Sequence, residues 1–194
     1  LAEAIGAGEH LLIAVPSHAL RALLQDVVPH MQSGQGLILA CKGLEPETGH
    51  LPHEVVAEVL VGNENPNRPL AVLSGPTFAR EIGQGLPTAV TIASEDQAFA
   101  TNVVEAFHYG GFRAYWTHDI VGVEIGGAVK NVIAIAVGMT DGLGLGANTR
   151  TALITRGLAE IMRLGEALGG QMETFMGLAG MGDLVLTCTD DQSR

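Results

Sequence analysis

With 194 residues, 47% of them hydrophobic, and a mean hydropathy of +0.29, the chain can bury a substantial core and is not a disordered segment. Its formal charge of −11 excludes a nucleic-acid or polyphosphate backbone as partner, yet a few well-placed cations can still make a pocket for a small anion. Two cysteines, Cys41 and Cys188, are too few for a disulfide framework and read as reduced thiols of a cytoplasmic protein.

The chain opens LAEAIGAGEH, with neither the basic flank nor the apolar run of a secretory leader. Gly6-Ala7-Gly8 imitates the start of a dinucleotide fingerprint. The third glycine is missing and the pair precedes a strand, so a helix C-terminal turn into LLIAV (11–15) is the better reading. Pro16 stops that strand, and Ser17 is placed to cap the helical pattern HALRALLQDVV. GLILACKGL (36–44) is the next strand, followed by a loop and the helix HEVVAEVLV. Two further strand-like runs are PLAVLSGPTFA (69–79) and TAVTIAS (88–94), and Ser94 with Gln97 forms a capping box for the helix after them. FRAYWTHD closes the series. Strands alternating with helices predict a doubly wound, Rossmann-type α/β sheet.

After residue 118 the strand patterns stop and helical ones follow, over 119–140, over 149–168 after GLGLGAN, and in two short pieces through ETFMGLAG and GDLVLTC. The shift predicts a partial dinucleotide-binding domain over 1–118 and an all-helical substrate-binding domain over 119–194. Residues 120–139 are nearly long enough to span a bilayer, but Glu124, Lys130 and Asn131 make that costly, so no membrane span is expected. The long apolar helices leave room for a homodimer.

Lys130, in IVGVEIGGAVKNVIAIAVGM, shares a helix face with Gly126, Gly127, Ala134 and Val137, all small or apolar. It either snorkels to solvent or projects into a cleft where desolvation tunes it for proton transfer. Lys42 ends a buried strand, at the edge where open α/β sheets bind ligands. Gly75 and Pro76 break the strand before Thr77, either as an ordinary turn or as a place for an anion. Asp183 is either an exposed N-cap or the carboxylate that orients a buried lysine, and Thr187 lies one turn on. Ser193 and Arg194 can grip phosphate. Metal ligation finds no support: the seven histidines are scattered and HEVVA lacks the second histidine of a zinc helix. No Gly-x-Ser-x-Gly elbow marks a hydrolase.

Together VPSHALR (15–21), KGLE (42–45), LSGPTFARE (73–81), LPTAVTIAS (86–94), residues 121–158 around the Lys130-Asn131 pair, and GLAGMGDLVLTCTDDQSR (177–194) resemble the bacterial NAD(P)-dependent glycerol-3-phosphate dehydrogenases. The resemblance implies an oxidoreductase that interconverts sn-glycerol 3-phosphate and dihydroxyacetone phosphate, with NAD or NADP as coenzyme and a role in phospholipid synthesis. It makes Lys130 the proton-transfer residue, with Asn131, Asp183 and Thr187 in support. Substrate contacts fall on Lys42, Gly75, Thr77, Lys130, Asp183, Ser193 and Arg194, and coenzyme contacts on Lys42, Ala79 and Arg194. The family's glycine fingerprint and the residues after Arg194 have no counterpart, so a fragment lacking both is expected. Two rivals stay open: a 3-hydroxyacid dehydrogenase or ketopantoate reductase of the same architecture, and a truncated, non-catalytic binding module.

Overall fold

The computed structural model describes residues 1–63 and 66–190. Helix α1 (Ala2–Gly6) runs through the Gly6–Ala7 turn into β1 (His10–Ile13). Next come α2 (Leu20–Val27), β2 (Gly36–Leu39), α3 (Pro52–Leu60) and β3 (Leu70–Ser74). The short α4 (Ala79–Gly83), β4 (Thr88–Ala93), α5 (Gln97–Phe107) and β5 (Phe112–Thr117) complete a five-stranded sheet in the order β1-β2-β3-β4-β5. Helices α6 (Ile120–Gly142), α7 (Gly146–Ala167), α8 (Met172–Met176) and α9 (Asp183–Thr189) follow. A partial Rossmann-like sheet followed by an all-helical region is therefore the observed architecture.

Strand alternation divides the sheet's side chains between two cores. Leu37, Leu39 and Val72 face one side and pack with Leu20, Leu24, Val55 and Val123; Ile38, Ala71, Val90 and Ile92 face the other and pack with Phe99 and Val103 of α5. A third core belongs to the helices, with Phe175, Ile161, Leu184 and Ile125 at its centre. Leu51, in the loop before α3, is buried in this third core and so ties the sheet region to the helices.

The sheet departs from a purely parallel one at a single pairing, β3 with β4, which is antiparallel. A parallel crossover must carry the chain back along the whole strand. The five residues of α4 rise only about 7.5 Å, against roughly 16 Å for the five residues of β3. The chain therefore turns back directly, and β5 then pairs parallel to β4 after the full-length α5. Two caps also differ from expectation. Asp96, not Ser94, caps α5 by accepting from the Phe99 amide, while the Ser94 hydroxyl donates to the Leu70 carbonyl. Ser17 opens a short 3-10 turn and makes no side-chain cap.

Helix α6 is, by length and composition, apolar enough to cross a membrane. Half of its most apolar stretch is buried within the fold, and Glu124 and Lys130, two of its three charged side chains, are buried against partners on other elements. That is the environment of a core helix. Asp119 begins it by accepting from the Gly122 amide, and its second oxygen accepts from the Gln171 amide ahead of α8.

Candidate active site

The chain contains only two lysines, and they meet on one carboxylate. Lys130 Nζ donates to Asp183 Oδ1 at 2.5 Å, and Lys42 Nζ donates to Oδ2 at 2.6 Å. Lys130 comes from the middle of α6, Lys42 from just beyond β2, and Asp183 from the first residue of α9. Asp183 is 1% exposed and Lys130 8%, so the buried ammonium is paired, as its desolvation requires. Lys130 also reaches Thr187 Oγ1 at 3.1 Å, whose hydroxyl donates in turn to the Asp183 carbonyl. Lys42 donates a second bond, at 3.0 Å, to the Gly75 carbonyl at the end of β3.

The glycines make this convergence possible. A Cβ on Gly126 would stand 2.5 Å from the Ala179 carbonyl oxygen, and one on Gly127 would press on Ser74 Oγ and the Lys42 stem. Bare helix surface thus lets the 178–182 turn and the end of β3 close on α6. Gly75 has φ +149°, and a side chain there would meet the Ala89 oxygen and the Val90 Cα at 3.1 Å.

With both lysines protonated the cluster carries a net +1 in an otherwise acidic chain. Burial, reinforced by the charge of Lys130 and opposed by Asp183, holds the Lys42 ammonium below the ordinary lysine range. Two proton-carrying amines, one half-buried and one nearly enclosed, therefore face the same carboxylate.

The structure thus brings together Lys42, Lys130, Asp183, Thr187 and Gly75. Thr77 lies at the rim, its hydroxyl 3.4 Å from the Gly75 carbonyl. Ala79 is exposed at the first position of α4. Asn131 is exposed on α6 and, among the described residues, makes no hydrogen bond to either lysine or to Asp183. Ser193 and Arg194 lie outside the described residues. Sequence reasoning missed Ser74, which is 2% exposed, adjoins Gly127 and has a hydroxyl with no hydrogen-bond partner among the described residues. It also missed the His53–Glu124 pair, which bridges α3 and α6. The scarcity of lysine was a signal in plain view: two in 194 residues, both at the site.

A Rossmann-like sheet that delivers a strand-end lysine to a helix-borne lysine is the frame of an α/β protein with a buried ionic cluster between sheet and helices. Comparisons with known proteins sharpen that class. The family model for the N-terminus of NAD-dependent glycerol-3-phosphate dehydrogenase matches residues 1–100, and that for its C-terminus matches 119–194. Glycerol-3-phosphate dehydrogenases [NAD(P)+] of Vibrio cholerae and Shigella boydii are 55% and 56% identical over all of this chain and 56% of their own length. A crystal structure of the glycerol-3-phosphate dehydrogenase of Coxiella burnetii superposes with a TM-score of 0.93 at 45% identity, over 100% of this chain and 57% of that one. The chain belongs to the NAD-dependent glycerol-3-phosphate dehydrogenase family.

The chain spans 56% of the length of the curated relatives it matches. The expectation of a chain marked off from its family by a missing N-terminal motif and a missing C-terminal part is corrected: the family models for both the N-terminus and the C-terminus match, over residues 1–100 and 119–194.

Proposed function

We propose that the chain interconverts sn-glycerol 3-phosphate and dihydroxyacetone phosphate with NAD or NADP, as a cytoplasmic enzyme supplying glycerol 3-phosphate for phospholipid synthesis. The observation that carries the reading is the pairing of both lysines with Asp183 in a chain matched by both family models. The free thiols of Cys41 and Cys188 suit a reducing compartment. In this reading residues 1–118 form the coenzyme-binding part and 119–194 the substrate-binding part.

The residues at the strand ends fit a nicotinamide coenzyme. Ser74, at the end of β3 beside Gly127, offers a buried hydroxyl with no hydrogen-bond partner among the described residues. Lys42, Ala79 and Arg194 would hold it there. The coenzyme supplies the hydride that is exchanged with C2 of the substrate.

The chain's own residues handle charge and protons. In the reducing direction Lys130 Nζ donates its proton to the carbonyl oxygen as that oxygen gains charge; in the oxidising direction the neutral amine takes it back. Asp183 holds the Lys130 ammonium in place and balances it, and Thr187 fixes a second direction at Nζ. Lys42 adds positive potential beside the substrate oxygens, while Thr77, Ser193 and Arg194 take the phosphate. Asn131, beside Lys130 in sequence, supports it from the exposed side of α6.

Fluorescence titration of the chain with NADH and with NADPH, followed by coenzyme oxidation dependent on dihydroxyacetone phosphate, tests the proposal. Saturable binding and substrate-dependent turnover are expected. Binding of neither coenzyme would overturn it, and oxidation with a 3-ketoacid or ketopantoate instead would favour a different member of the same architecture.

A further inference from the structure

A second buried ionic unit lies on α6, six residues and about 9 Å along the axis from Lys130. Glu124 Oε1 accepts the His53 backbone N–H at 2.9 Å, and Oε2 lies 2.5 Å from His53 Nδ1. The Glu124 side chain is 1% exposed. His53 is the second residue of α3, whose first-turn amides need acceptors, so a carboxylate on α6 serves as an N-terminal partner for a helix 71 residues away in sequence. Next to it in sequence, Ile125 shares the helical core with Leu51, the residue before α3. A polar and an apolar tie thus join the same two points.

These ties bear on the lysine pair. The loop from Lys42 to Leu51 connects the end of β2 to α3, and the α6 turn carrying Glu124 leads to Lys130. Anything that fixes α3 against α6 fixes how closely Lys42 and Lys130 can approach Asp183.

We propose that Glu124 and His53 are a positioning pair: shared by α3 and α6, their hydrogen-bonded contact sets the approach of Lys42 to Lys130, and it weakens when the imidazole loses its proton. The proposal deepens the reading of the lysine pair given above and rests on it. Neither residue is among those assigned above to substrate or coenzyme.

The surroundings give the direction of the pH effect. Burial works to lower the His53 pKa, but the hydrogen bond and charge of Glu124, with Glu54 and Glu95, outweigh it and hold the imidazole above its ordinary value. Burial raises Glu124 as well, against the opposing pull of His53. Cys41, beside Lys42, feels burial first and then the charge of Glu124, which push its thiol up to about 11. Asp96 and Arg68 line the same cavity as His53. A raised histidine pKa means that its stabilisation is complete below the unfolded value and is lost as pH rises through the folded one.

Two measurements test this without reading turnover, so a failure of the proposed activity leaves their outcome intact. The first is acetylation by limiting acetic anhydride, quantified at the chain's two lysines by mass spectrometry. Glu124→Ala is expected to raise Lys130 labelling about 5-fold and Glu124→Gln, which keeps an acceptor for the His53 amide, about 2-fold or less. Unchanged labelling in a folded Glu124→Ala variant would overturn the positioning role. The second is the melting temperature of native chain against Glu124→Gln from about pH 6 to about pH 9. The native advantage is expected to shrink steadily across that range; a constant difference would overturn the proton dependence. His53→Gln, at a partly exposed side chain, supplies the same two readings if a Glu124 variant does not fold: more Lys130 labelling and a flattened pH profile support the pair, and native values for both refute it.

Discussion

Replacing Asp183 by asparagine puts the ionic cluster to its severest test. The two Nζ atoms lie 2.5 and 2.6 Å from opposite oxygens of the carboxylate. Two ammonium groups sharing one carboxylate stand on the order of 4–5 Å apart, and at an effective dielectric near 20 their repulsion is about 3–4 kcal/mol once the negative charge is gone. Two charge-assisted hydrogen bonds are weakened as well, each worth about 1.5–3 kcal/mol, while the neutral amide recovers part of one. A net loss of about 3–5 kcal/mol agrees with the general cost of breaking a buried pair and corresponds to a melting temperature lower by roughly 8–15 °C for a chain of this size. The signature lies in the pH dependence. Without Asp183 nothing opposes the burial and the Lys130 charge that already hold Lys42 low, so its folded pKa falls further. A depressed lysine pKa means the unfolded chain binds more protons, so the variant gains stability as pH rises between the folded value and the ordinary lysine range. Urea denaturation from about pH 7 to about pH 10 should show the deficit narrowing as Lys42 deprotonates. A deficit below about 1 kcal/mol, or one that does not move with pH, would refute the shared-carboxylate account.

Two glycines of one helix should respond in opposite ways. Gly138 has nothing within 4 Å of a new Cβ, so Gly138→Ala should stabilise the chain by up to about 1 kcal/mol, whereas Gly126→Ala drives a methyl to 2.5 Å from the Ala179 oxygen and should destabilise it despite the same helix-propensity gain. Thermal melts of the pair decide this; equal shifts would mean that α6 and the 178–182 turn are not in close contact. Gly165→Ala meets the Phe175 ring at 1.9 Å in the helical core and should cost about 1–3 kcal/mol or more in the same assay. Ser74→Ala removes a hydroxyl without a partner in the described structure, so it should leave the melting temperature unchanged or higher while weakening coenzyme binding measured by fluorescence titration. Unchanged binding would remove Ser74 from the coenzyme's surroundings.

How much of this was legible beforehand varied from element to element. LLIAV, GLILA and TAVTIA announced themselves as buried strands because their apolar runs are bounded by proline, glycine and polar turns. Helices α6 and α7 were equally plain, starting within a few residues of expectation. The antiparallel turn between β3 and β4 was hidden, because it depends on the brevity of α4, and a five-residue helix after a Gly-Pro turn has no periodicity to read. Asp96 prevailed over Ser94 as a cap because the Ser94 hydroxyl was committed to the Leu70 carbonyl across the sheet, a contact no local spacing encodes.

The site shows the same division. Lys130 stood out because it sits among glycines, and Lys42 because it ends a strand, but their joint claim on Asp183 spans up to 141 residues of sequence. The small-residue face of α6 suggested a cleft; the closure of the 178–182 turn onto Gly126 explains it. His53 was weighed only as half of a zinc helix and Glu124 only as a charge unwelcome in a membrane. Neither residue is informative alone. Their meaning comes from α3 abutting α6, which tertiary packing alone decides.

The most direct test of the account is the rate of dihydroxyacetone phosphate reduction by the native chain and by Lys130→Ala, with coenzyme binding measured on both. Loss of the proton donor should lower kcat by about 100-fold or more while coenzyme affinity stays close to native. Near-native turnover by Lys130→Ala with coenzyme bound would contradict the central claim that the Asp183-held lysine of α6 moves the proton.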